Sequence, residues 1–225
     1  FSDTGSTTIQ NSEYGVYAGL EKKFLDDKLK VNLTTRLDKN VNFEYLMSPA
    51  ASMVYSHSKA HVFRFSFSSA IRNPALADQY LYYNVGRAIL LGNITGYDSL
   101  VTIESLVNYY SATTLDADSL AYFNVDPIQP EKVKTVEVGY RGTLWDRLYL
   151  DANYYYSIYR DFIGYKLGAE VTFDPSPVLS DQINALQAYR VASNADSTVT
   201  TQGFNIGMNY FFKKYIAING NYSWN

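Results

Sequence analysis

The side chains able to do acid–base or metal chemistry are few in this sequence, and their spacing decides what they can build. His57 and His61 are its only histidines. Imidazoles four residues apart meet on one face of a helix, but these two flank the short polar stretch Ser56 to Lys59, which reads as a turn. A turn role is expected there rather than a metal site. Asp116, Asp118 and Asp126 offer carboxylate oxygens of the kind calcium takes. Their spacing matches no ligand loop, so a solvated acidic loop is the expectation. The chain has no cysteine, which removes disulfides, thiolate metal sites and cysteine nucleophiles. No Ser-His-Asp set, phosphate-cradling glycine loop or basic stretch is present, and the formal charge is only -3. No catalysis, cofactor, metal or nucleic-acid partner is expected from these residues.

The charged residues that remain sit at alternate positions of long apolar–polar patterns, so the elements carrying them are strands rather than helices. From Lys28 to Asp38, Leu29, Val31, Leu33, Thr35 and Leu37 face one way, and Lys30, Asn32, Thr34, Arg36 and Asp38 the other. From Val62 to Arg72 the rows are Phe63, Phe65, Phe67, Ser69, Ile71 against Arg64, Ser66, Ser68, Ala70, Arg72. Lys134 to Trp145 sets Val136, Val138, Tyr140 against Glu137, Gly139, Arg141. Arg147 to Tyr159 sets Leu148, Leu150, Ala152 against Tyr149, Asp151, Asn153. Phe204 to Phe212, Ile216 to Trp224 and Glu13 to Phe24 alternate likewise. Pro49 to Tyr55 is a weaker strand whose facing is open, and it brings the number to eight. Arg36, Arg64, Glu137, Arg141 and Asp151 thus share the polar side. They either form ordinary wall-to-interior hydrogen bonds and ion pairs or touch a passing solute.

The connections alternate in length. Asp26–Asp27, Ser56 to Lys59, Trp145–Asp146 and Lys213–Lys214 read as tight turns. A moderate loop surrounds Asn40 to Met47, and much longer ones run from Asn73 to Lys132 and from Gly164 to Val199. Loops of that length without secondary structure are rare in compact domains and usually functional. The first holds Tyr80, Tyr82, Tyr83, Arg87, Tyr109 and Tyr110, the composition of a recognition surface. The same rings would equally pack the loop on itself or mark a membrane boundary. Its apolar run Ala88 to Leu91 either buries beneath the loops or meets a neighbouring protein. Asp174–Pro175–Ser176–Pro177 reads as a rigid bend in the second loop.

A β-sandwich also has one apolar and one polar face, so strand length and charge must decide. The uninterrupted rows run about 9–11 residues, the span of a tilted transmembrane strand, against a usual soluble strand of about five or six. No Lys, Arg, Asp or Glu breaks the rows containing Leu29, Val31, Leu33, Phe63, Phe65, Phe67, Leu148, Leu150, Ile206 and Ile216. Charge returns on the same face only beyond the rows, at Lys39, Lys134 and Arg160. The 22 Tyr and 12 Phe suit a boundary between oil and water. The fold class expected is all-β: a segment of an antiparallel transmembrane β-barrel, its apolar rows on outer-membrane lipid. Tight turns would lie on one rim and long loops on the other.

Three stretches carry a family likeness. FSSAIRNPALADQYLYYNVGRAILLG (Phe67 to Gly92), IQPEKVKTVEVGYRG (Ile128 to Gly142) and YYYSIYRDFIG (Tyr154 to Gly164) resemble the late barrel region of TonB-dependent receptors of the Bacteroidetes type. Pro130–Glu131 entering a strand that reads Glu137-Val138-Gly139-Tyr140 and the landmark Arg72-Asn73-Pro74 are the specific parts, and the likeness extends over nearly the whole chain. It implies a 22-stranded barrel around an N-terminal plug, in the outer membrane of a Gram-negative bacterium, importing a scarce nutrient (glycan, peptide or metal chelate) with energy from TonB. Plug, TonB box and barrel ends have no counterpart here. The expectation is therefore a barrel segment spanning residues 1–225, meeting TonB through other parts of the receptor. Two further readings stay open: a receptor-like scaffold for a surface lipoprotein, and a passive porin.

Overall fold

A computed structural model describes residues 8–175, 181–213 and 216–225. In chain order the strands are β1 (Glu13–Phe24), β2 (Leu29–Asn40), β3 (Leu46–Ser58), β4 (His61–Arg72), β5 (Tyr82–Asn84), β6 (Ile89–Leu91), β7 (Tyr97–Thr102) and β8 (Tyr122–Val125). They continue with β9 (Glu131–Leu144), β10 (Leu148–Arg160), β11 (Ile163–Phe173), β12 (Ile183–Asn194), β13 (Val199–Lys213) and β14 (Ile216–Trp224). Helix α1 (Leu76–Tyr80) precedes β5, and α2 (Ile103–Ser111) follows β7. The chain forms two compact units. Of the described residues, one holds 8–10, 73–131 and those of 161–196; the other holds 11–72, 132–160 and those of 197–225.

The second unit is an eight-stranded sheet in the order β1-β2-β3-β4-β9-β10-β13-β14. The eight strands expected from alternation recur in it, shifted by a few residues at their ends. The β1–β2, β2–β3, β3–β4, β9–β10, β10–β13 and β13–β14 ladders are antiparallel and keep like with like: Leu20 pairs with Leu33, Leu33 with Ala51, and Ala51 with Phe67. Across the sheet, Tyr140 pairs with Ala152, Ala152 with Ile206, and Ile206 with Tyr222. The register also assigns β3, whose Met47, Pro49, Ala51, Met53 and Tyr55 join the apolar face. Pro49, which has no N–H to give, pairs with Thr35 but lies beyond the β3–β4 ladder, which starts at Ala50.

That apolar face has nothing over it within the unit. Leu33 is 49% exposed, Phe63 48%, Val138 46% and Met208 53%. Among the described residues only Phe43 of this unit is a buried hydrophobic side chain. Soluble monomers do not leave apolar patches of this extent on water, and a sandwich would bring these rings together in a dry interior. Hairpins close the sheet at one end. Positive φ at Asp26 and Asp27, and at Trp145 and Asp146, supplies the tight reversals between β1 and β2 and between β9 and β10. Lys59 and Ala60 join β3 to β4. Lys214 of the fourth expected turn lies outside the described residues, as do Ser176 and Pro177 of the expected bend.

The first unit corrects the expectation of two long loops. Its residues form a six-stranded sheet, β5-β6-β12-β11-β7-β8, in which strands from both connections interleave. One core lies on Ile89, Leu91, Leu100, Val125 and Val191, and another on Val101, Leu106, Tyr109, Leu120 and Ala169. The apolar run beginning at Ala88 is therefore core of this unit. Gly168 permits the packing on its side, because a Cβ there would stand 2.9 Å from the Phe123 ring and 3.0 Å from Leu100.

Candidate functional site

The polar face of the eight-stranded sheet gathers most of the charged residues expected to share it. Arg64 on β4 reaches across β9 to β10, where its Nη2 donates to Asp151 Oδ1 at 2.5 Å. The strand it crosses offers Gly139, where a Cβ would lie 3.1 Å from Arg64 Nε, so the missing side chain leaves the guanidinium its path. Asn153 donates from Nδ2 to Glu137 Oε1 at 2.8 Å. Arg141 is exposed and directly opposite Asp151 in the β9–β10 ladder. Arg64, Glu137, Asp151, Asn153 and Asn205 line a hollow of about 540 Å³. Arg36 stands apart from it, donating from Nε to Asp38 Oδ1 at 2.7 Å on its own strand. Arg64 and Asp151 side chains are 40% and 37% exposed, so their pairing contributes at most about 1 kcal/mol. The arrangement offers mixed donors and acceptors to a polar partner.

The opposite face at the hairpin end holds both histidines. His61 Nδ1 and the Tyr140 hydroxyl are 2.7 Å apart, and His57 packs near Tyr55 with ring centroids 6.2 Å apart. Gly142 makes room for the first pair, since a Cβ there would overlap the Tyr140 hydroxyl.

In the insertion unit the expected contact residues divide. Tyr82, Tyr83 and Tyr110 are 44%, 51% and 57% exposed, Arg87 is exposed and Tyr80 is half-buried. Tyr109 departs from the expectation of a contact ring. It is 1% exposed, its hydroxyl donates to the Asp181 carbonyl, and it accepts from the Ile183 amide at 3.2 Å. Helix α2, capped by the Thr102 hydroxyl accepting from the Ser105 amide at 3.2 Å, turns Leu106 and Tyr109 inward together. Asp116 caps a short 3-10 turn by accepting from the Asp118 amide at 2.9 Å. Among the described residues no group of three or more His, Cys, Asp or Glu side chains is placed to hold a metal.

Three residues gained roles that their types alone did not announce. Asn93 is fully buried: its Nδ2 donates to the Asp126 and Ala192 carbonyls at 2.7 and 2.9 Å, and its Oδ1 accepts from the Gly96 amide at 2.9 Å. It thereby staples one connection to the other. Glu131 of the Pro130–Glu131 landmark is 7% exposed and accepts from the Ile163 amide at 3.3 Å. The Tyr189 hydroxyl donates to Glu170 at 3.0 Å. Burial first, and then the Glu170 carboxylate, pushes its pKa up to about 12.

The family model described as TonB dependent receptor-like, beta-barrel, matches residues 2–225. Among solved structures, the chain is similar to a mutant ferric enterobactin receptor from Pseudomonas aeruginosa, with 12% identity and a TM-score of 0.65 over 95% of this chain and 26% of that one. It is similar to the siderophore receptor PirA from Acinetobacter baumannii (13% identity, TM-score 0.57, 95% of this chain and 27% of that one). A third is the Serratia marcescens hemophore receptor HasR, in complex with its hemophore HasA and heme (13% identity, TM-score 0.57, 89% and 32%). Identities this low compare folds only. The chain spans between 26% and 32% of the length of these three structures. No curated protein sequence matches it.

Proposed function

The chain belongs to the TonB dependent receptor-like β-barrel family, and from that premise we propose that it is part of the wall of an outer-membrane receptor that imports a scarce nutrient. The observation that carries this is the pair of faces on the eight-stranded sheet. One is apolar and uncovered, with charge toward its ends, at Lys22 opposite Val31, Lys39 opposite Tyr14 and Lys134 opposite Ile158; the other carries Arg64, Glu137, Asp151 and Asn153 around a polar hollow. A wall between lipid and a polar lumen requires both.

In this reading the full receptor lies in the outer membrane of a Gram-negative bacterium. The chain is a late section of a barrel of the Bacteroidetes type, closed by further strands to 22 and filled by a plug. The apolar rows meet lipid and the hairpins point to the periplasm. Tyr82, Tyr83, Arg87 and Tyr110 contact the solute or a partner. Arg36, Arg64, Glu137, Arg141 and Asp151 face the plug or the passing solute, and TonB supplies the energy through other parts of the receptor. The nutrient class, a glycan, peptide or metal chelate, is that of the family. The work is binding and passage, with no bond made or broken.

The test is uptake by cells carrying the full-length parent, with and without TonB. Uptake that falls to the background of a receptor deletion when TonB is removed supports the proposal. Equal uptake in both strains refutes energised import.

A further inference from the structure

Charge divides unevenly between the two units. Residues 73–131 and 161–196 carry twelve Asp and Glu against three Lys and Arg, a formal charge of -9, whereas the whole chain stands at -3. In such surroundings a cation readily meets a carboxylate, as Lys166 does at Asp196, 3.1 Å away. Arg190 on β12 does not. Among the described residues its guanidinium makes no ion pair or hydrogen bond; it lies instead over the Tyr165 ring, 3.7 Å from the centroid. Stacking on a ring holds the plane of the guanidinium still and leaves its N–H edge to an acceptor from outside.

The register decides what surrounds that edge. Tyr83 of β5 pairs with Leu90 of β6, Leu90 with Arg190, and Arg190 with Leu167 of β11, so these side chains stand in one row on one face. Their neighbours Ile89, Leu91 and Val191 fill the core on the other face. On the row's own face, packing starts only beyond it. Two residues along β11 from Leu167, Ala169 is fully buried in the core with Leu106 and Tyr109 of α2. Two residues on from Leu90, Gly92 lies against the end of α1, where a Cβ would overlap the Tyr80 and Leu81 amide nitrogens. Between these supports the row is bare: Tyr83, Tyr165 and Leu167 are each more than half exposed.

Resting on the receptor reading above, we infer that this row binds a solute carrying one carboxylate on an apolar body. The Arg190 fork takes the carboxylate through two parallel N–H···O bonds, and Tyr83, Leu90, Tyr165 and Leu167 cover the body. The carboxylate is single because the acidic unit repels further negative charge. An uncharged solute would forgo the charge-assisted bonds, and a cation would meet the guanidinium head-on.

The experiment is saturation-transfer NMR on the full-length receptor in detergent, with three probes that share a phenyl ring: phenylacetate, phenylacetamide and phenyl phosphate. Phenylacetate should bind roughly tenfold or more tighter than the uncharged amide, the ratio expected for a hydrogen-bonded pair of charges, and tighter than the doubly charged phosphate. Arg190→Gln should remove the preference for the acid over the amide. Arg190→Lys should restore only part of it, because an ammonium keeps the charge and loses the fork. Arg190 is exposed, so neither change empties the core. Equal binding of acid and amide, tighter binding of the phosphate, or a preference for the acid that persists in Arg190→Gln would each overturn the inference. The comparison of the three probes needs no variant and stands whatever a substitution does to the fold. Binding is read on purified receptor without TonB, so its failure leaves energised import standing, and TonB-independent uptake by cells leaves the carboxylate site standing.

Discussion

Replacing Leu33 by lysine tests the assignment of the two faces where lipid and water predict different outcomes. Leu33 sits mid-row on β2, beside Leu20 of β1 and Ala51 of β3, and it is 49% exposed. Were that exposure to water, a lysine would change stability by no more than about 0.5 kcal/mol, like other surface substitutions. Against lipid at mid-depth the same change costs roughly 2–4 kcal/mol, about 30- to 1,000-fold in the folding equilibrium. Leu37→Lys, at the end of the row, should cost about 0–1 kcal/mol. Asn32→Lys, one residue away on the polar face beside Glu21 and Ser52, should be near neutral. The assay is folding of the full-length parent into phospholipid vesicles across a urea titration, read by the altered gel mobility of the folded barrel. Leu33→Lys folding as well as the parent, or Asn32→Lys costing more, would refute the assignment.

Three further outcomes follow from single contacts. Gly139→Val places a side chain against the Arg64 guanidinium; in a double-mutant cycle it should abolish the Arg64–Asp151 coupling, itself at most about 1 kcal/mol. Asn93→Ala removes three buried hydrogen bonds and should destabilise the insertion unit by about 2–5 kcal/mol, seen as faster hydrogen exchange at residues 89–91 and 189–192 while the eight-stranded sheet keeps its protection. Tyr189 is held neutral with its pKa raised to about 12. Its contribution is complete below the ordinary tyrosine value of about 10 and is lost as pH climbs through the folded value. A Tyr189→Phe variant should therefore flatten the alkaline fall in stability of this unit between those two values, and an unchanged fall would exclude the role.

The eight-stranded sheet was legible in the sequence because a strand with one apolar and one polar face must alternate, and its apolar rows are long. Leu29 to Leu37 and Phe63 to Ile71 could be assigned residue by residue for that reason. The insertion unit was not, for physical causes that can be named. Strands β5 and β6 are three residues each, too short for any period. On β12, Val191, Ala192 and Ser193 are 0%, 1% and 4% exposed, so covering both faces erased the alternation. Composition alone could not divide the rings of the first connection, of which Tyr82, Tyr83 and Tyr110 are exposed and Tyr109 is buried; the helical spacing of Tyr109 from Leu106 was the available clue. The small net charge concealed the acidic unit, because the wall's basic residues cancel it, and only the contacts show which residues belong together.

The direction in which the rows of β4 face separates a membrane wall from a sandwich. The sequence has no cysteine, so nitroxide labels can be placed one at a time from residue 62 to residue 68 of the full-length receptor in vesicles. Labels at Phe63, Phe65 and Phe67 should collide freely with oxygen dissolved in the bilayer, and labels at Arg64, Ser66 and Ser68 with a water-soluble nickel reagent, alternating residue by residue. A profile with no alternation, or with the even-numbered positions on the oxygen-rich side, would contradict the membrane wall.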